Sequence, residues 1–284
     1  MNFRRRQHTM NIWLIVLMVA SCNGNVKPNK KTGTTGNTAK EKEAIMPAEP
    51  IDKFEWKPIT YDSTKQYIYL TFDDGPQNGT VACFELCKKL HVKATFFMVG
   101  EHVKSSNLKQ IVHNIKEAYP EILLANHSTT HASGHYKYFY HHPEMALEDF
   151  YKAQETLSVP FKIIRLPGNS AWVADGKIKA SGLVRPVCGK LDSSGYKVAG
   201  WDVEWSFNHK TENPVETPQK IASQVDSALA RGHVHNQNHV VILSHDRMFR
   251  KPNYTDSLEK FITLLQQNPR FVFETIDHYP NIHP

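Results

Sequence analysis

Residues Tyr67–Pro76 read "YIYLTFDDGP". The first half is aromatic, β-branched and apolar, the composition of a buried strand. The second half ends in adjacent carboxylates, Asp73 and Asp74, followed by a Gly75-Pro76 turn. Two like charges at the end of an apolar strand repel each other and lose hydration. A fold keeps such a pair only where something compensates for it.

Outward from this stretch, similar short runs recur: "ATFFMV", "EILLAN", "FKIIRL", "YKVAGW", "HVVILS" and "FVFETI". Between them lie helix-like segments near 79–90, 104–118, 144–157, 216–231 and 255–267. Near-continuous apolar strands alternating with helices indicate a parallel sheet covered on both faces. About seven such units predict an α/β barrel, complete or incomplete, rather than an open sheet. In such folds chemistry collects where strands end and the next loops begin.

Titratable residues sit at those ends. After the first strand come Asp73 and Asp74. After "EILLA" comes "NHSTTH", with His127 and His131. Arg165 follows "FKII". Asp202, Glu204 and Trp205 follow "VAG", and His245 and Asp246 follow "HVVILS". One such ending is unremarkable; together they predict one rim, where a cation plus an arginine could hold the carboxylates charged.

His127 and His131 are four residues apart, a spacing that suits one face of a helical turn or a tight loop. Two imidazoles and a carboxylate are a common three-ligand set for a catalytic zinc, with a position left open. Histidine pairs also occur by chance in a chain with His 16. The acidic pair at a neighbouring strand end is what favours a metal.

In order along the chain, TFDDG, H-S-x-x-H, R-x-P, an acidic residue before Trp, and L-x-H resemble the polysaccharide deacetylases of carbohydrate esterase family 4, the NodB homology domain. The resemblance spans residues 64–276. It implies a distorted (β/α) barrel and metal-dependent removal of acetyl groups from N-acetylated sugars. By the same resemblance Asp73 is the general base, and Asp74, His127 and His131 are the metal ligands. Arg165 orients Asp73. His245 is the general acid, Leu243 lines the acetyl pocket with Trp205, and Glu204, or else Asp202, backs His245. The metal is expected to be zinc, although the same ligands accept cobalt or nickel.

Two positions depart from the family pattern. An aromatic residue usually follows R-x-P and lends its N–H to the oxyanion hole; here Gly168 stands there, so the amide remains while a side-chain wall is lost. The acid before Trp is usually Asp and here is Glu204. An O-acetyl esterase acting on a xylan-type polymer uses the same constellation, and a non-catalytic glycan-binding protein is the other class of function to weigh.

The beginning of the chain reads differently. Arg4–Arg6 precede the apolar run "IWLIVLMVA" and then Ser21-Cys22. The run is short of the roughly 20 residues of a spanning helix. It reads as a lipoprotein signal over 1–22, with Cys22 as the lipidated residue. Residues 23–58 are polar and read as a flexible tether, and 59–284 as the catalytic domain. The expected place is the cell envelope, anchored through the lipid and facing periplasm or surface. The net charge of +6 is partly in Arg4–Arg6 and the lysines of 27–42. No basic run within the domain argues for nucleic acid; a polysaccharide is the expected partner and a monomer the expected state. Cys83, Cys87 and Cys188 read as buried thiols. The aromatic, histidine-rich 132–143 reads equally as a sugar-stacking rim or a surface loop, and 233–239 as a polar loop before a strand.

Overall fold

The computed structural model describes residues 54–284. In chain order the elements are β1 (Gln66–Gly75), α1 (Thr80–Lys89), β2 (Ala94–Met98), α2 (Ser106–Glu117), β3 (Ile122–Asn126), α3 (Tyr136–His141), α4 (Pro143–Thr156), β4 (Ile163–Ile164), β5 (Trp172–Ala174), β6 (Lys177–Lys179), α5 (Arg185–Ser193), β7 (Lys197–Val198), β8 (Val203–Glu204), α6 (Pro218–Arg231), β9 (His239–His245), α7 (Pro252–Gln266) and β10 (Phe271–Phe273). The strands form one curled sheet in the order β6-β5-β7-β4-β3-β2-β1-β9-β8, with β10 added to β1. From β7 to β8 the pairs are parallel; only the β5–β6 hairpin and its pairing with β7 are antiparallel. This is a distorted (β/α) barrel, open between β8 and β6.

Side-chain parity sorts the core into layers. Ile68, Leu70 and Phe72 of β1, Phe96 of β2, Leu124 of β3 and Ile242 of β9 face outward, under α1, α2, α6 and α7. Tyr67 and Tyr69, Phe97, Leu123 and Ala125, Ile163 and Val241 face inward and fill the barrel, together with Ile276, Tyr279 and Ile282 of the C-terminal segment. A further cluster packs α3, α4 and α5 on β4, β5 and β7. Strand side chains alternate with period two, so the inward set is the odd-numbered one in β1, β3, β4 and β9. Continued to the strand ends, that parity delivers Asp73, His127, Arg165, Leu243 and His245 to the top of the barrel.

All the parallel strands read from apolar runs are present. The sequence reading missed β5, β6, β8, α3 and α5. The missed strands are two or three residues long, too short to display a period, and α5 carries Pro186 and Gly189. Cys83, Cys87 and Cys188 are buried free thiols. Residues 54–58 are not part of a tether. Phe54 packs on Tyr119, and Trp56 Nε1 donates to the Asp277 carbonyl at 3.1 Å. The lipoprotein signal, Cys22 and the rest of the tether lie outside the described residues.

A chain beginning at Ile59 should therefore be less stable than one beginning at Phe54. Burying a large side chain contributes about 1.5–3 kcal/mol. At about 2–4 °C per kcal/mol for a domain of this size, the melting temperature should fall by roughly 5–10 °C. Equal melting temperatures would return 54–58 to the tether.

Candidate active site

Adjacent strand residues point to opposite faces, so Asp73 and Asp74 should diverge. The register shows why they do not. Asp73 pairs with Phe97 and Gly75 with Met98, leaving Asp74 in a bulge. Its φ of 74° is left-handed, a conformation Asp tolerates better than most residues. The bulge turns Asp74 back to the rim beside Asp73, as bulges near sites commonly do.

Arg165, at the end of β4, is fully buried. Its Nη1 donates to Asp73 Oδ1 at 2.9 Å and to Thr71 Oγ1. Nη2 donates to Gly200 O at 2.8 Å and Nε to Ala199 O at 3.2 Å. One oxygen of Asp73 is thus fixed by a cation that has no freedom of its own. Removing the guanidinium would leave a buried carboxylate alone, at a cost of about 3–5 kcal/mol.

His127 and His131 flank a loop rather than a helical turn. Ser128 has φ 73° and His131 φ 50°, and Ser128 N donates to Asn126 Oδ1 at 2.8 Å. Thr129 N and Thr130 N both donate to Asp149 Oδ2, which ties the loop to α4. His127 Nδ1 is 2.9 Å from Arg165 O. A carbonyl only accepts, so Nδ1 carries the proton and Nε2 presents its lone pair when the ring is neutral. That Nε2 lies 3.5 Å from Asp74 Oδ1 and 3.6 Å from Asp73 Oδ2. His131 Nε2 lies 3.0 Å from Asp74 Oδ1.

Ligand atoms of Asp74, His127 and His131 all lie within 4.8 Å of one another. Asp74 Oδ1 is buried without a hydrogen-bond partner among the described residues, although two ring nitrogens face it. An orphaned carboxylate oxygen opposite imidazole lone pairs is a donor set for a cation, so the residues fit a divalent ion. Burial opposes the charge on Asp74, yet the two rings hold its pKa well below the ordinary value. Burial likewise opposes the His127 imidazolium, but Asp73 and Asp74 outweigh it and raise that pKa. In both cases the site favours positive charge between the carboxylates.

The cleft over these groups has a volume of about 460 Å³ and is lined also by Tyr136, Gly168, Trp201, Glu204, Phe207, Leu243, His245 and Arg247. A cleft of about 550 Å³ shares Trp201 with it but none of the ligand triad. His245 Nε2 is 4.0 Å from Asp74 Oδ2, and its ring meets Phe207 edge-on at 4.8 Å. Burial lowers its pKa, against the pull of Asp74 and Asp73.

Several sequence expectations need correction. Neither Glu204 nor Asp202 backs His245, whose buried Nδ1 has no hydrogen-bond partner among the described residues. Asp202 accepts from His235 N at 2.7 Å and Val241 N at 2.8 Å, so its carboxylate staples backbone. Glu204 is exposed and lies at the cleft lining with Trp201. The two acids, two apart, do not share a face because Asp202 precedes the strand. Trp205 does not line the cleft. It has the outward parity of Val203, is fully buried among Phe249 and Phe261, and donates to Glu216 O at 2.9 Å. Trp201 and Phe207 supply the aromatic surface instead. The wall that Gly168 lacks is supplied by Tyr136, whose ring lies 3.1 Å from where a Cβ of residue 168 would be.

Arg247 was missed as well. Its Nη2 donates to Asp74 Oδ2 at 2.9 Å, leaving Oδ1 for the histidines. Nothing in "HDRMF" marks it from another surface arginine. Asp246 stays out of the cleft: it accepts from Gln77 Nε2 at 2.7 Å and from Thr80 Oγ1, joining the end of β9 to the start of α1.

Residues 60–170 match the model of a family described as polysaccharide deacetylase. That span holds Asp73, Asp74, His127, His131, Arg165 and Gly168, while Leu243 and His245 lie beyond it. YheN of Bacillus subtilis (strain 168), provisionally named a polysaccharide deacetylase, is 27% identical over 245 residues, 82% of this chain and 78% of YheN. The chitin disaccharide deacetylase of Vibrio alginolyticus is 25% identical over 312 residues, 77% of this chain and 72% of that one. Among solved structures, the catalytic domain of peptidoglycan N-acetylglucosamine deacetylase from Eubacterium rectale ATCC 33656 aligns with a TM-score of 0.56 at 24% identity, covering 80% of this chain and 96% of that one. The family match and the two relatives support a polysaccharide deacetylase domain, and the solved structure supports the barrel described above.

Asp246 gives a test of the packing beneath the cleft. Burial pushes its pKa from 3.8 up to about 7, against the hydrogen bonds from Thr80 and Gln77. The folded protein then holds this proton more tightly than the unfolded chain, so its contribution to stability falls as pH rises from about 4 to about 7. Asp246→Asn keeps the neutral form throughout. Its stability relative to the parent should rise across that window, measured by urea unfolding at several pH values. A constant difference would mean that Asp246 is ionised in the fold.

Proposed function

We propose that this domain is a metal-dependent hydrolase that removes acetyl groups from N-acetylated sugars of a polysaccharide, with peptidoglycan or a chitin-like N-acetylglucosamine chain as substrate. The observation that carries the reading is the convergence of Asp74, His127 and His131 beside a carboxylate fixed by a buried arginine. The deacetylase family match over 60–170 supports the reaction class. The named activities of the Vibrio alginolyticus and Eubacterium rectale proteins support the substrate class.

Asp74, His127 and His131 would hold the ion, zinc in our reading. When bound, a divalent ion supplies a Lewis acid for the acetyl carbonyl and for the attacking water. Asp73 receives the water's proton on Oδ2, because Oδ1 is occupied by Arg165. Arg165 holds that carboxylate in place before and after the transfer. The Gly168 amide is the candidate donor to the oxyanion. Leu243, at the inner face of the cleft, takes the acetyl methyl. His245 hands a proton from Nε2 to the leaving nitrogen, so the amide and water become acetate and a free amine. Since its Nδ1 has no partner, the charge of His245 answers to the Asp73–Asp74 side.

We also read residues 1–22 as a lipoprotein signal that anchors the domain at the cell envelope through Cys22. The charged start, the short apolar run and "VASC" support this. Labelled palmitate should enter the parent protein and not Cys22→Ala.

Protein stripped with a chelator should lose acetate release from N-acetylglucosamine oligomers and regain it with zinc; full activity after verified metal removal would refute the reading. Greater turnover on acetylxylan would move the acetyl group to oxygen. Asp73→Asn should retain metal and fold while losing about 10²–10⁴-fold in rate, whereas metal loss in that variant would exchange the roles of Asp73 and Asp74. Glu204→Gln should leave the basic limb of the pH–rate profile where it is in the parent.

A further inference from the structure

The two histidines at the candidate metal centre are not held alike. His127 Nδ1 donates to a backbone carbonyl, Arg165 O. The polar group within reach of His131 Nδ1 is a side chain: Tyr136 Oη stands 3.4 Å away, and its ring meets the imidazole edge-on at 5.7 Å. Tyr136 is itself fixed from below. It and Tyr140 lie one helical turn apart on α3 and reach the same loop. Tyr140 Oη donates to Pro167 O at 2.6 Å, and Tyr136 lies flat against the next residue. A Cβ at Gly168 would come 3.1–3.3 Å from the Tyr136 ring. Gly168 also has φ 63°, so the loop needs glycine there twice over.

We propose that Tyr136 is the positioning residue of His131, and that Gly168 is glycine in order to seat it. The inference rests on the reading of Asp74, His127 and His131 as a metal site. A histidine that ligates through Nε2 must carry its proton on Nδ1 and needs an acceptor there; such outer partners fix the tautomer and ring orientation and raise the donor strength of the ligand. The phenol oxygen of Tyr136 accepts a hydrogen bond from that N–H. Its own hydrogen then has no claim from His131, and the hydroxyl can donate into the cleft that Tyr136 lines. One side chain thereby orients a ligand and walls the cleft at the place where residue 168 has no side chain to offer.

The test measures zinc dissociation constants with a competing chromophoric chelator, on the parent and on Tyr136→Phe, Tyr136→Ala, Gly168→Ala and His127→Ala. Tyr136→Phe keeps the ring and removes the acceptor; it should weaken zinc about 10–100-fold with the metal-free melting temperature unchanged. Gly168→Ala touches no ligand, yet its methyl must displace the Tyr136 ring, so it should also weaken zinc. In a Tyr136→Ala background the Gly168 change should weaken zinc less than it does in the parent, as a shared route requires; the φ of 63° at Gly168 accounts for what remains. If Tyr136→Phe binds zinc within twofold of the parent while His127→Ala does not, the role of Tyr136 is wrong and the metal site stands. If His127→Ala is also without effect, the metal reading falls and this inference with it.

Discussion

The buried guanidinium of Arg165 is the interaction on which the site depends. Its side chain holds Asp73 Oδ1 and Thr71 of β1 together with two carbonyls that follow β7. Its own carbonyl faces His127 Nδ1. The group that fixes the base candidate and the group that sets the tautomer of a ligand candidate are therefore one residue. A buried ion pair is weak as a source of stability, because desolvation offsets the attraction. Its value here is geometric: it holds a carboxylate stationary at the floor of a cleft.

Around that pair the site is an exercise in charge balance at low dielectric. Asp73 and Asp74 bring two negative charges to one strand end. Arg165 answers the first, and Arg247 answers the outer oxygen of the second. What is left is Asp74 Oδ1, facing two ring nitrogens without a hydrogen bond. The lowered Asp74 pKa and raised His127 pKa both express the remaining demand for positive charge. A divalent ion meets that demand without a proton. The bulge that gives Asp74 its left-handed backbone is thus tolerated at a place where the surrounding charges use it.

Much of this was legible in the sequence, for a physical reason. A strand buried on both faces must be apolar along its length, so the long parallel strands stand out, and so do the polar residues that interrupt them at one end. Short elements carry too few residues to show a period. β8 is Val203–Glu204 alone, and with it went the assignment of faces, so that Trp205 was expected in the cleft and lies in the core. The His127–His131 spacing admitted a helix or a loop, and left-handed Ser128 and His131 make it a loop.

By itself, the sequence determined the barrel class and the set formed by Asp73, Asp74, His127, His131, Arg165 and His245. Asp73, His127, Arg165 and His245 sit at strand ends, where local alternation and burial already say where side chains go, whereas Asp74 reaches the rim through its bulge and His131 through a loop. Only the tertiary structure decided which groups complete the cleft. Tyr136 opens the short helix α3, and Trp201, Phe207 and Arg247 come from loops and short turns, whose side chains point wherever packing sends them. It also decided that Asp202 staples backbone and that His245 Nδ1 stands alone, since two acids two residues apart share a face only if the strand continues beneath them, and here it begins after the first.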